Sequence, residues 1–318
     1  MKSYQYISYN QITSNFNEIQ ICDHMNGFSK NYTNTILDRI KDYNITVWSQ
    51  YIFTEQIKLN YPNLTLKFDL SLPESTALAP TSLQNCTKLK THKSFSNFVC
   101  SFNGSDHISR QFLISALYKV GWFNTEYNSK NFSTFCDRID GNISSFFNDN
   151  QQSRFYRKFI INESKSAEEF YKSIIGFNYV ADDQEHNINT LIDKINSSFV
   201  QIVSETKGDS YYPFISEKFV YPIIAKSLWV AYAQPGYHKY LATYYGFKQY
   251  NKLFNYNFDA IQNPVKRLVE LLSMLSKFSK LTKLEWHDLY SMEQDTIQYN
   301  YDHYVSGDYL TQLQLFLE

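Results

Sequence analysis

Short apolar runs with the spacing of strands alternate with helical patterns over residues 18–68, and this alternation restricts the possible folds more than any other feature. Residues 32–42 and 54–59 have helical spacing, and they separate three strand patterns: Glu18-Ile19-Gln20-Ile21-Cys22, Ile45-Thr46-Val47-Trp48 and Leu64-Thr65-Leu66-Lys67-Phe68. A strand, helix, strand order produces a parallel sheet with right-handed crossovers. The sequence therefore predicts an α/β fold.

The alternation resumes after residues 73–93, a stretch rich in Ser and Thr that has neither period and is typical of a connection between domains. Strand patterns cover 95–102 and 199–203, and helical patterns cover 108–120, 167–175, 189–195, 265–278 and 309–317. A chain of 318 residues is long enough for two α/β domains. We expect one domain over 1–92, a second over 93–300, and a terminal helix over 301–318 that can pack back on the first.

Polar residues directly follow the apolar run Phe199–Val203, in the sequence Ser204-Glu205-Thr206. They would emerge at the carboxyl end of a buried strand, which is where open α/β sheets bind ligands. Ser216 is a candidate helix N-cap, and Glu217 and Lys218 would lie in the first turn of that helix. A phosphate group could bind there to free backbone amides and to the lysine.

The order of these elements resembles the donor domain of fucosyltransferase-like glycosyltransferases of the GT-B architecture, most closely the compact versions common in phage and bacterial genomes. The resemblance implies two Rossmann-like domains that face a cleft, with the nucleotide sugar in the second. In that family a Glu-Asn or Glu-Thr and a Thr-Glu-Lys or Ser-Glu-Lys bind the nucleotide sugar. This implies a donor-binding role for Glu205, Thr206, Ser216, Glu217 and Lys218.

Two further segments follow the order of that family. In residues 98–110 the resemblance implies diphosphate contacts from Asn103, His107 and Arg110, although Ile-Ser separates the His and Arg that the family has side by side. The segment 246–268 also matches in order, but Asn-Tyr-Asn-Phe-Asp stands where the family has Asp-Glu-Ser-Tyr-Asp. No single motif is diagnostic, so the order and the spacing of the motifs carry the resemblance.

Transfer of a sugar from a nucleotide sugar builds negative charge on the departing diphosphate, which therefore needs cations or amide dipoles. Arg110 and Lys218 are the predicted cations. A divalent metal held by Asp-X-Asp would be the alternative, and the sequence contains no Asp-X-Asp. The four cysteines are too scattered for a zinc site or a disulfide framework. We expect metal-independent transfer, with no cofactor other than the donor substrate.

An inverting transfer also needs a general base for the acceptor hydroxyl, and the first domain would supply it across the cleft. Asp23 follows the first predicted strand and is the predicted base, with His24 as its rival. Both residues could instead cap the turn before the next helix.

The donor-site residues also have purely structural interpretations. Glu217 and Lys218 could form a solvated first turn, in which an acidic side chain stabilises the helix by about 0.3 to 1 kcal/mol. Glu205 could be a surface acid at the end of a strand. Arg110 could pair with Asp106 one helical turn earlier.

Composition favours a globular protein, with 43% hydrophobic and 19% charged residues. No apolar run reaches the roughly 18 residues of a membrane span, and residues 1–5 lack the apolar core of a signal peptide, so we expect a cytoplasmic location. The expected acceptor is a glycan or another hydroxyl compound. A DNA acceptor remains an alternative that the net charge of −1 disfavours. Another alternative is a non-catalytic nucleotide-binding or interaction protein. A dinucleotide-binding enzyme is disfavoured, since Gly-X-Gly-X-X-Gly is absent.

Overall fold

Two parallel β-sheets, each accompanied by helices, make up the part of the chain that the structure describes. The structure is a computed structural model, and it describes residues 18–21, 36–49, 55–68, 93–103, 110, 113, 116–117, 120–122, 128–129, 191–205 and 215–317. Both sheets contain parallel strands joined through helical segments, so the predicted α/β class is confirmed.

The first sheet contains β1 (Glu18–Ile21), β2 (Thr46–Ser49) and β3 (Thr65–Phe68), in that order and all parallel. Residues 36–40 between β1 and β2 are helical, and α1 (Glu55–Asn60) lies between β2 and β3. These helices bury apolar side chains together with the sheet, namely Ile36, Leu37, Ile40, Val47, Ile57 and Leu64. The strand and helix patterns of this region therefore correspond to the observed elements.

The second sheet contains β4 (Asn97–Phe102), β5 (Asn128–Ser129), β6 (Ser198–Ser204) and β7 (Leu228–Tyr232). Their order across the sheet is β5-β4-β6-β7, and every neighbouring pair is parallel. All residues of β6 and β7 are buried. Continuous burial explains why these strands are nearly uninterrupted apolar runs, since a parallel sheet is covered on both faces.

Helices surround the second sheet. They are α2 (Val220–Ile224), α3 (Tyr237–Tyr245), α4 (Pro264–Ser276), α5 (Lys283–Met292), α6 (Gln294–Ser306) and α7 (Asp308–Leu317). Residues 110, 113 and 116–117 and residues 191–196 are also helical, and they precede β5 and β6 along the chain. Short 3-10 helices cover Glu217–Phe219 and Tyr256–Ala260.

Aromatic rings form the centre of the second core. Phe199 of β6 stacks on Trp286 of α5 with ring centroids 5.8 Å apart, and its edge meets Phe95 at the same separation. The Trp286 indole N–H donates to the Phe278 carbonyl at 2.8 Å, so burial leaves this polar group satisfied. The chain has 25 Phe and 27 Tyr residues. In this cluster they supply packing area that is worth about 1.5 to 3 kcal/mol per buried Phe side chain.

The C-terminal helices belong to the second core. Helix α7 packs on α3 and α6, and Tyr304, Tyr309 and Leu313 are buried in the same apolar cluster as β4, β6 and β7. Helix α6 runs through residue 300, where the sequence analysis placed a boundary. The contact of the terminal segment with the first domain, and the division at residues 92 and 93, stay predictions.

Lys93 ties the amino edge of the second sheet together. Its ammonium group donates to the Asn196 side chain at 2.8 Å, to the Ala225 carbonyl at 2.7 Å and to the Ser227 hydroxyl. Burial lowers the pKa of Lys93 to about 7. These three partners belong to the segments that precede β6 and β7, so Lys93 links the amino ends of these two strands.

Gly246 ends α3 in the left-handed conformation, with φ of +75°. A Cβ at this position would lie 2.9 Å from the His303 Nε2 atom, and that atom is itself bonded to the Tyr245 carbonyl at 2.6 Å. We expect Gly246→Ala to lower the free energy of unfolding by about 3 kcal/mol, about 1 to 2 from the left-handed backbone and the rest from the clash. Chemical denaturation measures this loss.

Gly307→Ala is the matched control for Gly246→Ala. Gly307 ends α6 with φ of +81°, and a Cβ there would meet no atom within 4 Å. It should lose only the backbone contribution of about 1 to 2 kcal/mol. Equal losses in the two variants would show that His303 moves aside at no cost.

Candidate functional site

The carboxyl edge of the second sheet carries the polar residues of the candidate site. Strands β4, β6 and β7 are parallel neighbours, so their carboxyl ends lie side by side. Asn103 follows β4, Ser204 ends β6 and Glu205 follows it, and all three side chains are at most 1% exposed. Buried polar groups at this edge are typical of ligand sites in open α/β sheets.

The pairing register shows which of these residues share a face. Cys100 pairs with Gln201, and extending this register by three residues, to one residue past the end of β4, sets Asn103 beside Ser204. Ser204 in turn pairs with Tyr232 of β7. Side chains alternate along a strand, so Asn103, Ser204 and Tyr232 lie on one face and Glu205 lies on the other.

Among the described residues, Ser216 and Tyr237 donate hydrogen bonds to Glu205. Its Oε1 atom accepts from the Ser216 backbone N–H at 3.1 Å and from the Tyr237 hydroxyl at 2.8 Å, and its Oε2 atom accepts from the Ser216 hydroxyl at 2.5 Å. Glu205 therefore joins the end of β6 to the 3-10 turn at residue 217 and to the first residue of α3. Burial raises the pKa of Glu205, and the Lys218 charge and these donors oppose the rise.

Lys218 lies beside this carboxylate and is half-buried. Its backbone N–H and its ammonium group each lie 3.4 Å from the Ser216 hydroxyl oxygen. Ser216 thus occupies the N-cap position of the 3-10 turn, as the sequence predicts, and its side chain links Glu205 to Lys218. The structure brings together three of the predicted donor-site residues, and one of them is a cation that reaches the surface.

Asn103 is fully buried, and its amide N–H₂ donates to the Ser101 hydroxyl at 3.0 Å. Ser101 donates in turn to the Ile202 carbonyl of the neighbouring strand at 2.9 Å. Arg110 is helical and buried, with 2% of its surface exposed. The diphosphate contacts of Asn103 and Arg110 stay predictions.

The N-terminus of α3 is occupied by a carboxylate of the protein. Asp259 accepts from the backbone N–H groups of His238 and Lys239 at 3.2 and 3.1 Å. Gly236, the N-cap, has no side chain for this purpose and donates its N–H to the Asp259 carbonyl at 2.6 Å. Burial raises the pKa of Asp259. An anionic ligand would have to displace this carboxylate, so α3 is not an available phosphate site.

His238 is a buried neutral imidazole. Its Nε2 atom accepts from the Ala231 backbone N–H of β7 at 2.9 Å, and its ring stacks on Trp229 with centroids 5.1 Å apart. Burial lowers the pKa of His238 to about 3. The acceptor role of Nε2 requires the proton on Nδ1, so the ring is a structural partner of β7.

Several predicted site residues lie outside the described residues: Asp23, His24, His107 and Thr206. Glu217 opens the 3-10 turn, and its donor contact stays a prediction. Sequence reasoning missed Tyr237 and Asp259 as parts of the site, because their partners lie 32 and 20 or more residues away along the chain. No local pattern signals such pairs. Ser204 adjoins the predicted Glu205 but was not singled out.

Within the described parts of the chain, no three His, Cys, Asp or Glu side chains form a group that could hold a metal ion. No helix in those parts is both long and apolar enough to span a membrane. Comparison of the chain with protein families, with curated proteins and with solved structures finds no match.

Proposed function

We propose that the protein is a glycosyltransferase that moves a sugar from a nucleotide sugar to a hydroxyl acceptor. The observation that carries this proposal is the cluster of Glu205, Ser216 and Lys218 at the carboxyl edge of a parallel sheet. The half-buried Lys218 suits a diphosphate, since its ammonium group already lies 3.4 Å from the Ser216 hydroxyl oxygen before a ligand binds. Glu205 would act by positioning Ser216 and Lys218.

The proposed chemistry needs three things of the protein. The bond between the anomeric carbon and the diphosphate breaks, the acceptor oxygen forms the new bond to that carbon, and a base takes the acceptor proton. Lys218, together with Arg110, would stabilise the negative charge that leaves with the diphosphate. Asp23, with His24 as rival, would take the proton from across a GT-B-like cleft, and no metal ion would be required.

We expect the donor nucleotide to stabilise the wild-type protein against heat and Lys218→Ala to remove most of this effect. Loss of a charged hydrogen-bond donor to phosphate should weaken binding on the order of 10- to 100-fold. The measurement is the melting temperature with millimolar uridine or guanosine diphosphate, and with the corresponding nucleotide sugars, each with and without EDTA. A ligand at a hundred times its dissociation constant adds about 2.7 kcal/mol of stability.

Lys280→Ala is the matched control, because Lys280 is an exposed lysine in the loop after α4. It should bind nucleotides as the wild type does. If a nucleotide still stabilises Lys218→Ala, the diphosphate does not bind at Lys218. A wild type that binds a nucleotide sugar yet neither hydrolyses nor transfers the sugar would favour a non-catalytic nucleotide-binding protein. Binding that falls steeply with salt on DNA would favour a DNA acceptor.

A further inference from the structure

Two buried polar atoms at the carboxyl edge have no hydrogen-bond partner among the described residues. They are the Oδ1 atom of Asn103 and the hydroxyl oxygen of Ser204, in side chains that are both 0% exposed. The register of β4 and β6, extended by three residues, sets these residues side by side at the ends of neighbouring strands. A buried polar atom without a partner costs free energy, so two together at a ligand-binding edge indicate that something else supplies the partners.

The hydrogen-bond network fixes which Asn103 atom is left over. The Ser101 hydroxyl uses its only proton on the Ile202 carbonyl, so toward Asn103 it can only accept. The Asn103 atom that faces Ser101 must therefore be the N–H₂ group, at 3.0 Å. A flipped amide would set two acceptors against each other. The remaining atom is a carbonyl oxygen, which accepts hydrogen bonds and cannot donate them.

This chemistry selects the ligand group. A phosphate oxygen also only accepts, so the free Oδ1 atom of Asn103 does not suit the diphosphate contact that the sequence suggests. A hydroxyl group suits it, since its proton can go to Asn103 and its oxygen can accept from Ser204. The diphosphate would then bind Lys218 and Arg110, whose side chains only donate hydrogen bonds.

We propose that Asn103 and Ser204 form a subsite that binds a hydroxyl group of the ligand, either of the ribose or of the transferred sugar. This inference rests on the proposed function for the identity of the ligand, but its residues are distinct from Lys218. The carboxyl edge would then have two parts. Lys218 would bind the diphosphate, and the neutral pair of Asn103 and Ser204 would bind a sugar hydroxyl.

Ser204→Ala tests the subsite, with Ser101→Ala as its matched control. Both are buried serines of neighbouring strands, but among the residues that the structure describes only the Ser101 hydroxyl has hydrogen-bond partners. In the absence of ligand, Ser101→Ala should lower the melting temperature and Ser204→Ala should leave it unchanged or raise it, because it removes an unpaired group. Ser204→Ala should weaken ligand binding about 3- to 10-fold, the loss of one neutral hydrogen bond.

The ligand series separates the two possible sources of the hydroxyl. Isothermal titration would compare uridine and guanosine diphosphates, their 2′-deoxy and 3′-deoxy forms, the nucleotide sugars, and free monosaccharides. If the subsite binds the ribose, Ser204→Ala weakens binding of the nucleoside diphosphates. It has no effect on binding of the deoxy form that lacks the contacted hydroxyl. If the transferred sugar is bound, Ser204→Ala weakens only the nucleotide sugars and the monosaccharides. Asn103→Ala should follow the same pattern as a second variant.

The results distinguish a failure of this inference from a failure of the proposed function. Equal binding of nucleotide sugars by the wild type, Ser204→Ala and Asn103→Ala would overturn the subsite and leave the function intact. Ser204→Ala that melts as low as Ser101→Ala would also overturn the subsite. A wild type that binds monosaccharides through Ser204 but no nucleotide would overturn the function and keep the subsite. Binding of none of the series would overturn both.

Discussion

Replacement of Glu205 by Ala should lower the free energy of unfolding by about 4 kcal/mol, because it leaves three buried hydrogen-bond donors without their acceptor, each at a cost of about 1 to 3 kcal/mol. The carboxylate is 1% exposed and satisfies two groups of Ser216 and the hydroxyl of Tyr237. Without it, these donors stay buried and unpaired, and the 3-10 turn at residue 217 loses its link to β6. The midpoint of urea denaturation, compared between wild type and variant, measures the loss.

Glu270→Ala provides the control for Glu205→Ala, since Glu270 is an exposed glutamate on α4. It should change stability by no more than about 0.5 kcal/mol. Glu205→Gln keeps one acceptor oxygen and should fall between the two. If Glu205→Ala costs less than 1 kcal/mol, the carboxylate does not hold Ser216 and Tyr237 in solution, and its proposed role in positioning Lys218 is wrong.

Because of His238, the free energy of unfolding should fall by about 3 kcal/mol between pH 6.5 and pH 4. The pKa of this imidazole is about 3 in the folded protein and 6.5 in the unfolded chain. Between these values the unfolded state binds the extra proton, so stability is present above pH 6.5 and is lost as the pH falls toward 3. One pKa unit corresponds to about 1.4 kcal/mol, so the window from 6.5 to 4 accounts for the loss.

His238→Gln isolates this contribution, because a glutamine oxygen can accept from the Ala231 N–H but does not titrate. Other groups, such as the raised carboxyls Glu205 and Asp259, act in the opposite direction, and they act alike in both proteins. The variant should be about 1 kcal/mol less stable than the wild type at pH 7 and more stable at pH 4. Two parallel stability curves between pH 7 and pH 4 would contradict a neutral, buried His238.

Most of the sheet architecture was predictable from the sequence, because buried parallel strands leave a plain signal. The predicted runs that end at Cys22, Trp48, Phe68 and Phe102 correspond to β1 to β4 within a few residues. The C-terminal helices were less predictable, since α5 and α6 are rich in polar and aromatic residues and lack a clean apolar stripe. One local signal was present: Thr282 and Glu285 form a capping box at the start of α5, which is a recognisable helix start.

The candidate site was predictable only where its members are close along the chain. Glu205, Ser216 and Lys218 lie within one strand, loop and helix unit, and the structure brings them together. The contact between Tyr237 and Glu205 and the capping of α3 by Asp259 depend on how α3 packs against the end of β6 and the 3-10 helix Tyr256–Ala260, which no short pattern encodes. The roles of Glu205, Ser216 and Lys218 in donor binding stay predictions.

The hydrogen bond between Ala231 and His238 also bears on whether copies of this protein aggregate. Among the described strands, β7 lies at the edge of its sheet, and the unpaired amides of an edge strand allow another strand to add there and start aggregation. The imidazole of His238 in α3 already accepts a hydrogen bond from one of these amides, that of Ala231. Strand β7 is also short and buried. The neutral His238 thus takes up an amide that an added strand would need. Protonation of Nε2 in acid would break this hydrogen bond and destabilise the core at the same time.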